Sequence, residues 1–304
     1  MQRILVTGAS GLLGTHISAR LGTQGYSVFA AYSRHPEHVQ NGLNSLNIRL
    51  LHLDLTRPSS VEAAFRTAAP HAVVHVAAMA DLSPCEQDKA LARTINIDAT
   101  AEIAKYCNKT NTRLIFLSTD QVFDGSKGNY SEEDRPNPIH EYGFTKAEAE
   151  KEVLAKAQAL STIVRVALVY GRSPTGRRSC SEQVVYALRN NERLRLFTDE
   201  IRNPVYAEDV ASAIAELMVY TRPLPYLHLG GPDTVSRYEI GRATALAFGL
   251  DPDKIEAVRQ KDMNLPTPRP KDLSLNTSLA KKLLASPPRP LAQGLQEQAR
   301  TLAP

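Results

Sequence analysis

The chain has 304 residues, of which 42% are hydrophobic and 22% are charged, a composition that is ordinary for a globular protein and argues against a disordered chain. The formal net charge of +4 comes without a block of five or more like charges, which argues against a nucleic-acid-binding arm. Neither a signal-peptide core nor a run of membrane-spanning length is present, so a cytosolic protein without a membrane partner is expected.

The chain opens with a short apolar strand, Arg3–Thr7, followed by glycines in a GxxGxxG pattern and a helical pattern through Leu21. This order is typical of a dinucleotide-binding turn, in which glycines allow a tight turn and the free amides of the helix face a pyrophosphate. The predicted cofactor contacts at this turn are Gly8, Ser10, Gly11, Leu12, Leu13 and Gly14.

The second predicted strand, Ser27–Tyr32, ends in Ser33 and Arg34, where an NAD-selective site usually has an acidic residue. A hydroxyl and a guanidinium can both bind the 2′-phosphate of NADP, so NADP(H) is the favoured cofactor. A solvated basic loop is the alternative interpretation of this pair.

Two further strands, at 48–53 and 72–78, supply more predicted cofactor contacts. Asp54 and Leu55 close the first, and Asp54 is expected to meet the adenine amino group in such a fold. The small Ala77 and Ala78 end the second and allow close backbone approach. His75, within the second run, is predicted to be a packed strand residue.

A helical pattern at 88–110 contains Asn96, which needs a hydrogen-bonding partner such as a backbone group of the next strand. Further strands are predicted at 113–117 and 161–169. Because strands alternate with helices, the predicted fold is α/β, with a doubly wound parallel sheet of the Rossmann type. Asn96 completes the predicted cofactor set together with Tyr142 and Lys146.

Tyr142 and Lys146 are four residues apart in a predicted helix and therefore share one face. An ammonium beside a phenol stabilises the phenolate and lowers the pKa of the tyrosine, which makes Tyr142 a candidate proton donor. A hydroxyl at Ser118 or Thr119, after the apolar run at 114–117, is placed to bind the same reacting oxygen.

The strand–helix rhythm breaks after Gly171. Residues 1–170, with a return at about 203–222, are predicted to form the NADP-binding domain, and residues 171–202 and 223–304 a smaller C-terminal α/β substrate lobe. Seven arginines crowd this region. Solvated surface is the default interpretation for any one of them, whereas as a set lining a cleft they would match a diphosphate: Arg172, Arg177, Arg178, Arg189, Arg193, Arg195 and Arg202. The three cysteines lack CxxC spacing, and no metal site is predicted.

With these motifs the chain resembles the extended short-chain dehydrogenase/reductase superfamily, and within it most resembles the dTDP-4-dehydrorhamnose reductases. The resemblance implies that Thr119 is the catalytic hydroxyl, Tyr142 the acid and Lys146 the residue that binds nicotinamide ribose. It rests on motifs along nearly the whole chain: TGASGLLG at 7–14, HVAA at 75–78, STD at 118–120, VFDG at 122–125, YGFTK at 142–146, PVYAEDVA at 204–211 and RPKD at 269–272.

Two positions depart from the reductase pattern. Gln121 and Leu168 stand where these reductases usually have tyrosine and tryptophan near the sugar. Gln121 also replaces the glutamate that related dehydratases use, and an amide cannot act as a general base. The predicted substrate contacts are Asp120, Gln121, Leu168 and Arg202.

The first functional hypothesis is NADPH-dependent reduction of a keto group, such as that of a 4-keto-deoxysugar nucleotide. A non-catalytic NADP-binding subunit, resembling the regulatory β subunit of methionine adenosyltransferase, is the second, and a nucleotide-sugar dehydratase or epimerase is the third. The expected partner is a small-molecule substrate, and a homodimer is expected by analogy.

Overall fold

The structure is a computed structural model that describes residues 1–40, 47–220 and 223–301. Its strands, numbered in chain order, are β1 (Arg3–Thr7), β2 (Ser27–Tyr32), β3 (Ile48–His52), β4 (Ala72–His75), β5 (Arg113–Thr119), β6 (Ser161–Val166), β7 (Val169–Tyr170), β8 (Leu194–Phe197), β9 (Ile201–Arg202), β10 (Val205–Tyr206), β11 (Tyr226–Leu229), β12 (Val235–Ser236) and β13 (Ile255–Val258).

The helices are α1 (Leu12–Thr23), α2 (Glu37–Gln40), α3 (Pro58–Ala68), α4 (Leu82–Gln87), α5 (Lys89–Arg93), α6 (Ala99–Lys109), α7 (Glu141–Ala157), α8 (Cys180–Arg189), α9 (Ala207–Leu217), α10 (Arg237–Ala247), α11 (Ser278–Leu283) and α12 (Leu291–Thr301). A π-helical turn, Thr94–Asp98, joins α5 to α6. None of the described helices is both long and apolar enough to cross a membrane.

Seven strands form one parallel sheet in the order β11-β6-β5-β4-β1-β2-β3. Strand order reverses at β1, because the chain first builds outward through β2 and β3 and then returns to place β4 on the other side. In such sheets the carboxyl ends of the strands beside the reversal form a crevice for ligands. The predicted doubly wound Rossmann fold is confirmed.

Both faces of the sheet are covered, which explains the continuously apolar strands. Ile4 and Val6 of β1 point into the core cluster that includes the buried residues of α1 and α9. Leu5, between them, points into the opposite cluster, which includes α3, α6 and α7. The two helical layers therefore fix α7, the helix with Tyr142, against the sheet next to β5 and β6.

Three smaller strand pairs, β7 with β10, β8 with β13 and β9 with β12, lie outside this sheet, with α8, α10 and α12 close to them. The predicted assignment of 223–304 entirely to a second lobe is wrong at β11, because Tyr226–Leu229 pairs with β6 as the edge strand of the main sheet. Positions 221–222 and 302–304 of the predicted domains lie outside the described residues.

Two predicted strands end three residues earlier than expected, because their backbones change partners. The strand at 72–78 ends at His75 because the amides of Val76 and Ala77 donate to the Thr7 hydroxyl, at 3.0 and 3.1 Å. The strand at 161–169 ends at Val166, and the Leu168 carbonyl accepts a hydrogen bond from Val205 outside the sheet. After both of these strands, the chain leaves the sheet at its carboxyl edge.

Candidate active site

The glycine turn has the geometry that its spacing predicts. Gly8 has a φ of 67°, and a Cβ there would lie 2.9 Å from the backbone of Ala77, while a Cβ at Gly14 would clash with the Gly8 carbonyl. Gly11 is the N-cap of α1, with no side-chain cap and no acidic residue in the first turn. The helix therefore presents free amides and its positive dipole end, which suits an anionic group.

The other predicted cofactor residues follow strands of the same sheet. Ser33 and Arg34 are exposed immediately after β2. Asp54 is half-buried, and hydrogen bonds from Thr56 lower its carboxyl pKa. Leu55, Ala77 and Ala78 are also half-buried, and their contacts with the cofactor stay predictions.

Among the described residues, one group of side chains has the proximity of metal ligands. His35, Glu37 and His38 have ligand atoms within 4.8 Å of one another, on the exposed loop and short helix after β2. The two imidazole rings stack, with centroids 4.8 Å apart. The sequence predicted no metal site, and the cluster lies apart from the residues around Tyr142.

Asn96 has partners, although they differ from the predicted ones. It lies in the π-helical turn, accepts a hydrogen bond from the Met79 amide at 2.8 Å and donates to the Met79 carbonyl at 3.0 Å. It also donates to the Thr145 hydroxyl at 2.9 Å. The expected partner was a group of β5, but Asn96 instead ties the loop after β4 to the tyrosine helix.

His75 is the packed strand residue that was predicted. Its ring is fully buried and hydrogen-bonds the hydroxyls of Thr7 at 2.7 Å and Thr100 at 3.0 Å. Burial, together with the nearby Lys146 charge, lowers the His75 pKa to about 3, so the ring is neutral over the physiological range.

The structure decides between the two candidate hydroxyls at the end of β5. Adjacent strand residues point to opposite faces. Ser118 donates to the Glu150 carboxylate at 2.5 Å, inside the protein, whereas Thr119 lines a cavity of about 170 Å³. We call this the Tyr142 cavity; its walls are Ala80, Thr119, Asp120, Gln121, Tyr142, Ala167, Leu168, Val169 and Arg202.

The phenol of Tyr142 is largely buried in the wall of this cavity. Burial raises the pKa of Tyr142, and interaction with the Thr119 hydroxyl offsets this only in part. The rise is the opposite of the lowering predicted from a neighbouring ammonium. The physical reason is that desolvation disfavours the phenolate, so the tyrosine keeps its proton at neutral pH.

Lys146 is also buried, and its ammonium group is directed at β5. Its Nζ donates to the Leu117 carbonyl at 2.8 Å and lies 3.9 Å from the centroid of the Phe116 ring. Burial lowers the Lys146 pKa to about 7, against the opposing influence of Glu150. Near neutral pH, both the charged and the neutral form of Lys146 are therefore populated.

A buried group of charges closes the far side of the cavity. Arg202 lies between the carboxylates of Glu200, at 3.1 Å, and Asp120, at 3.8 Å. Burial raises the Asp120 pKa to about 6 despite the Arg202 charge, and the Asp120 oxygen that faces Arg202 accepts no hydrogen bond from the described residues. A substrate hydroxyl is a suitable partner for that oxygen.

The seven arginines do not line the Tyr142 cavity as a set. Arg202 alone among them is buried and lines the cavity; the other six are exposed. Sequence reasoning missed Glu200 and two further arginines that reach it, Arg237 at 4.0 Å and Arg269 at 3.6 Å. Arg269 belongs to the RPKD motif, which was the available signal.

Comparison with known proteins places this site in a family. A family model described as the RmlD substrate binding domain matches residues 1–303. The chain belongs to this family. The predicted membership of the extended short-chain dehydrogenase/reductases, a superfamily of NAD(P)-dependent oxidoreductases, is thereby confirmed.

The proteins that this chain is similar to include both reductases and a subunit of a methionine adenosyltransferase. A hypothetical dTDP-4-dehydrorhamnose reductase from Sulfolobus tokodaii is 31% identical, with a TM-score of 0.81 over 96% of this chain and 99% of that one. A probable low-salt glycan biosynthesis reductase from Haloferax volcanii is 30% identical over 90% of this chain and 89% of its own length. The methionine adenosyltransferase 2 subunit beta of Xenopus tropicalis is 28% identical over 97% of this chain and 86% of its own.

Proposed function

We propose that the protein reduces a keto group, that of a 4-keto-deoxysugar nucleotide, with NADPH as the cosubstrate. The observation that carries the proposal is that Thr119 and Tyr142 share the wall of one cavity, with Lys146 one turn further along the same helix. A protonated phenol beside a second hydroxyl suits protonation of an oxygen that gains negative charge. The proposed catalytic residues are therefore Thr119, Tyr142 and Lys146.

The residues around the cavity supply the proton for this reaction. When bound, NADPH supplies the hydride that the carbonyl carbon accepts. Tyr142 donates its phenolic proton to the carbonyl oxygen, and the Thr119 hydroxyl donates a hydrogen bond to the same oxygen. Lys146, whose pKa is about 7, returns a proton to the tyrosinate and takes one from solvent. A hydroxyl group then replaces the ketone, and the protein regains its starting protonation.

The residues at the carboxyl edge of the sheet fit a dinucleotide. The uncapped α1 and the close packing at Gly8 and Gly14 suit the pyrophosphate. We propose that Ser33 and Arg34 bind the 2′-phosphate, which favours NADPH over NADH, and that Lys146 binds the nicotinamide ribose. A larger thermal stabilisation by NADH than by NADPH would contradict this assignment of Arg34.

On the substrate side, the cavity has non-aromatic side chains at the two positions where tyrosine and tryptophan are expected for a rhamnose precursor. Gln121 and Leu168 line it, and Asp120 and Arg202 supply its charges. We propose that these four residues contact the sugar and its phosphate. Gln121 also disfavours the dehydratase alternative, because an amide side chain cannot remove the proton that elimination requires.

The proposal is tested by NADPH oxidation with a panel of 4-keto sugar nucleotides. Tyr142→Phe is expected to reduce kcat by about 10²–10⁴-fold, the usual contribution of a general acid, while the Kd for NADPH stays near that of the unsubstituted protein. Tyr186→Phe is the matched control, since Tyr186 is 39% exposed on α8. Full turnover by Tyr142→Phe would refute the assignment.

A second candidate is a non-catalytic NADP-binding subunit. The similarity to methionine adenosyltransferase 2 subunit beta, over 97% of the chain, favours it. In that case NADPH would raise the melting temperature, no ketone would support oxidation, and a methionine adenosyltransferase catalytic chain would co-purify with the protein.

We also propose a cytosolic location and a homodimer, both by analogy with reductases of this type. Light scattering of the purified chain tests the dimer. A monomer at micromolar concentration would contradict it.

A further inference from the structure

The helix that contains Tyr142 and Lys146 begins with an unusual cap. The N-cap of α7 is His140, whose Nδ1 accepts a hydrogen bond from the Gly143 amide at 3.0 Å. Serine, threonine, aspartate and asparagine are the usual residues at this position, because their oxygen atoms accept hydrogen bonds. An imidazole nitrogen accepts only while it carries no proton.

His140 is packed tightly against the site. Its side chain is buried, and its ring is parallel to that of Tyr142 within 8°, with centroids 6.3 Å apart. A Cβ at Gly143 would clash with the Gln121 carbonyl and would lie 3.1 Å from the His140 ring. The first turn of α7 is thus packed closely against both the cavity-lining segment at Gln121 and the His140 ring.

The surroundings of His140 favour the neutral ring. Burial is the largest influence on the pKa of His140 and lowers it. The Glu86 carboxylate of α4 raises this pKa, whereas the charges of Arg202 and Arg269 lower it further. Glu86 is also engaged, since it accepts a hydrogen bond from the Glu141 amide at 2.7 Å. The positive end of the α7 dipole adds to the cost of an imidazolium.

The neutral ring has a fixed tautomer. Because Nδ1 is the acceptor, the proton lies on Nε2, which is buried and has no partner among the described residues. A second proton would convert Nδ1 into a donor facing another donor, the Gly143 amide. Protonation therefore removes the cap of α7.

We propose that His140 is a positioning residue for the reaction: its neutral imidazole fixes the first turn of α7, and with it Tyr142, so that turnover falls in acid as the cap is lost. The inference rests on the proposed role of Tyr142 as the proton donor. His140 itself touches neither substrate nor cofactor in this scheme.

Replacement of His140 by another cap separates capping from titration. His140→Asn keeps an acceptor at every pH, so its kcat at pH 7.5 is expected within about twofold of the unsubstituted protein, with a shallower fall as the pH drops below 6.5. His140→Ala removes the acceptor and is expected to lower kcat by roughly fivefold at all of these pH values. Lys146 and Asp120 titrate in the same range in every variant, so the comparison isolates His140.

Thermal unfolding gives a measurement that does not depend on turnover. The pKa of His140 is lowered in the folded state, so the unfolded chain takes up its proton first as pH falls below the ordinary value of 6.5. The unsubstituted protein should therefore lose melting temperature relative to His140→Asn between pH 7 and pH 5. The low pKa values of His75 and His228 affect both proteins equally.

His71→Asn is the matched control. Its Nδ1 also accepts a backbone hydrogen bond, from Arg3 at 2.9 Å, but at an exposed position remote from the cavity. It should leave the pH dependence of kcat unchanged. Equal pH profiles for His140→Asn and the unsubstituted protein would overturn the inference. Absence of ketone reduction in every protein would instead refute the proposed function, while the melting temperatures would still decide whether His140 is a titrating cap.

Discussion

A buried ion pair lies behind the active site, and the removal of one of its charges tests how strongly the fold depends on the pair. Arg165 of β6 and Glu150 of α7 are both 1% exposed, and Arg165 Nη2 lies 2.7 Å from Glu150 Oε2. Ser118 donates to the other oxygen of the same carboxylate. Glu150→Gln keeps the size of the side chain and removes only its charge.

The substitution should destabilise the protein strongly, because it leaves the Arg165 guanidinium buried without a counter-charge. Loss of one partner of a buried pair costs about 3–5 kcal/mol. At about 2–4 °C per kcal/mol for a chain of comparable size, the melting temperature should fall by roughly 6–20 °C. Since Glu150 also raises the Lys146 pKa, that pKa should fall further.

Urea denaturation at pH 7.5, followed by circular dichroism, measures the free energy of unfolding. Glu148→Gln on the same helix is the control, since its partner Lys151, at 2.6 Å, is 69% exposed and such pairs contribute about 0–1 kcal/mol. The double variant Glu150→Leu/Arg165→Met should recover much of the loss, because no unpaired charge remains. A loss for Glu150→Gln as small as that for Glu148→Gln would refute the reasoning.

Two further predictions concern the cavity and the glycine turn. Asp120→Asn should raise the melting temperature more at pH 7 than at pH 4. The pKa of Asp120 in the folded protein, about 6, lies above its ordinary value of 3.8. This carboxyl therefore contributes stability at low pH that is lost as the pH rises through 6. An equal or larger gain at pH 4 would contradict this. Gly8→Ala should weaken NADPH binding, measured by fluorescence titration, by roughly tenfold or more, because the added Cβ strains the backbone at positive φ and clashes with Ala77. Gly25→Ala is the control and should leave binding unchanged, since Gly25 also has a positive φ, 84°, but has open space around it.

Much of the main sheet could be predicted because buried parallel strands are continuous apolar runs. The bounds of β1 and β2 follow directly from such runs. The ends of two later strands could not be predicted, because they depend on partners far along the chain, the Thr7 hydroxyl and the Val205 amide. Such partners are known only once the sheet is assembled.

The site shows the same division between local and distant information. The spacing of Tyr142 and Lys146 is local, and it predicted their shared helix. The choice between Ser118 and Thr119 depends on which face of β5 meets α7, and the pKa of Tyr142 depends on how deeply the fold buries it. The carboxylate of Glu200 meets Arg269 only through the tertiary fold.

The position of β11 limits how this protein can be divided. The chain leaves the main sheet after β6, builds part of the smaller lobe, and returns to add β11 alongside β6. A fragment that stops at residue 170 would leave β6 with a row of unpaired backbone groups and expose apolar surface that α9 covers. Exchange of the smaller lobe between related chains would therefore require two grafts that leave α9 and β11 in place.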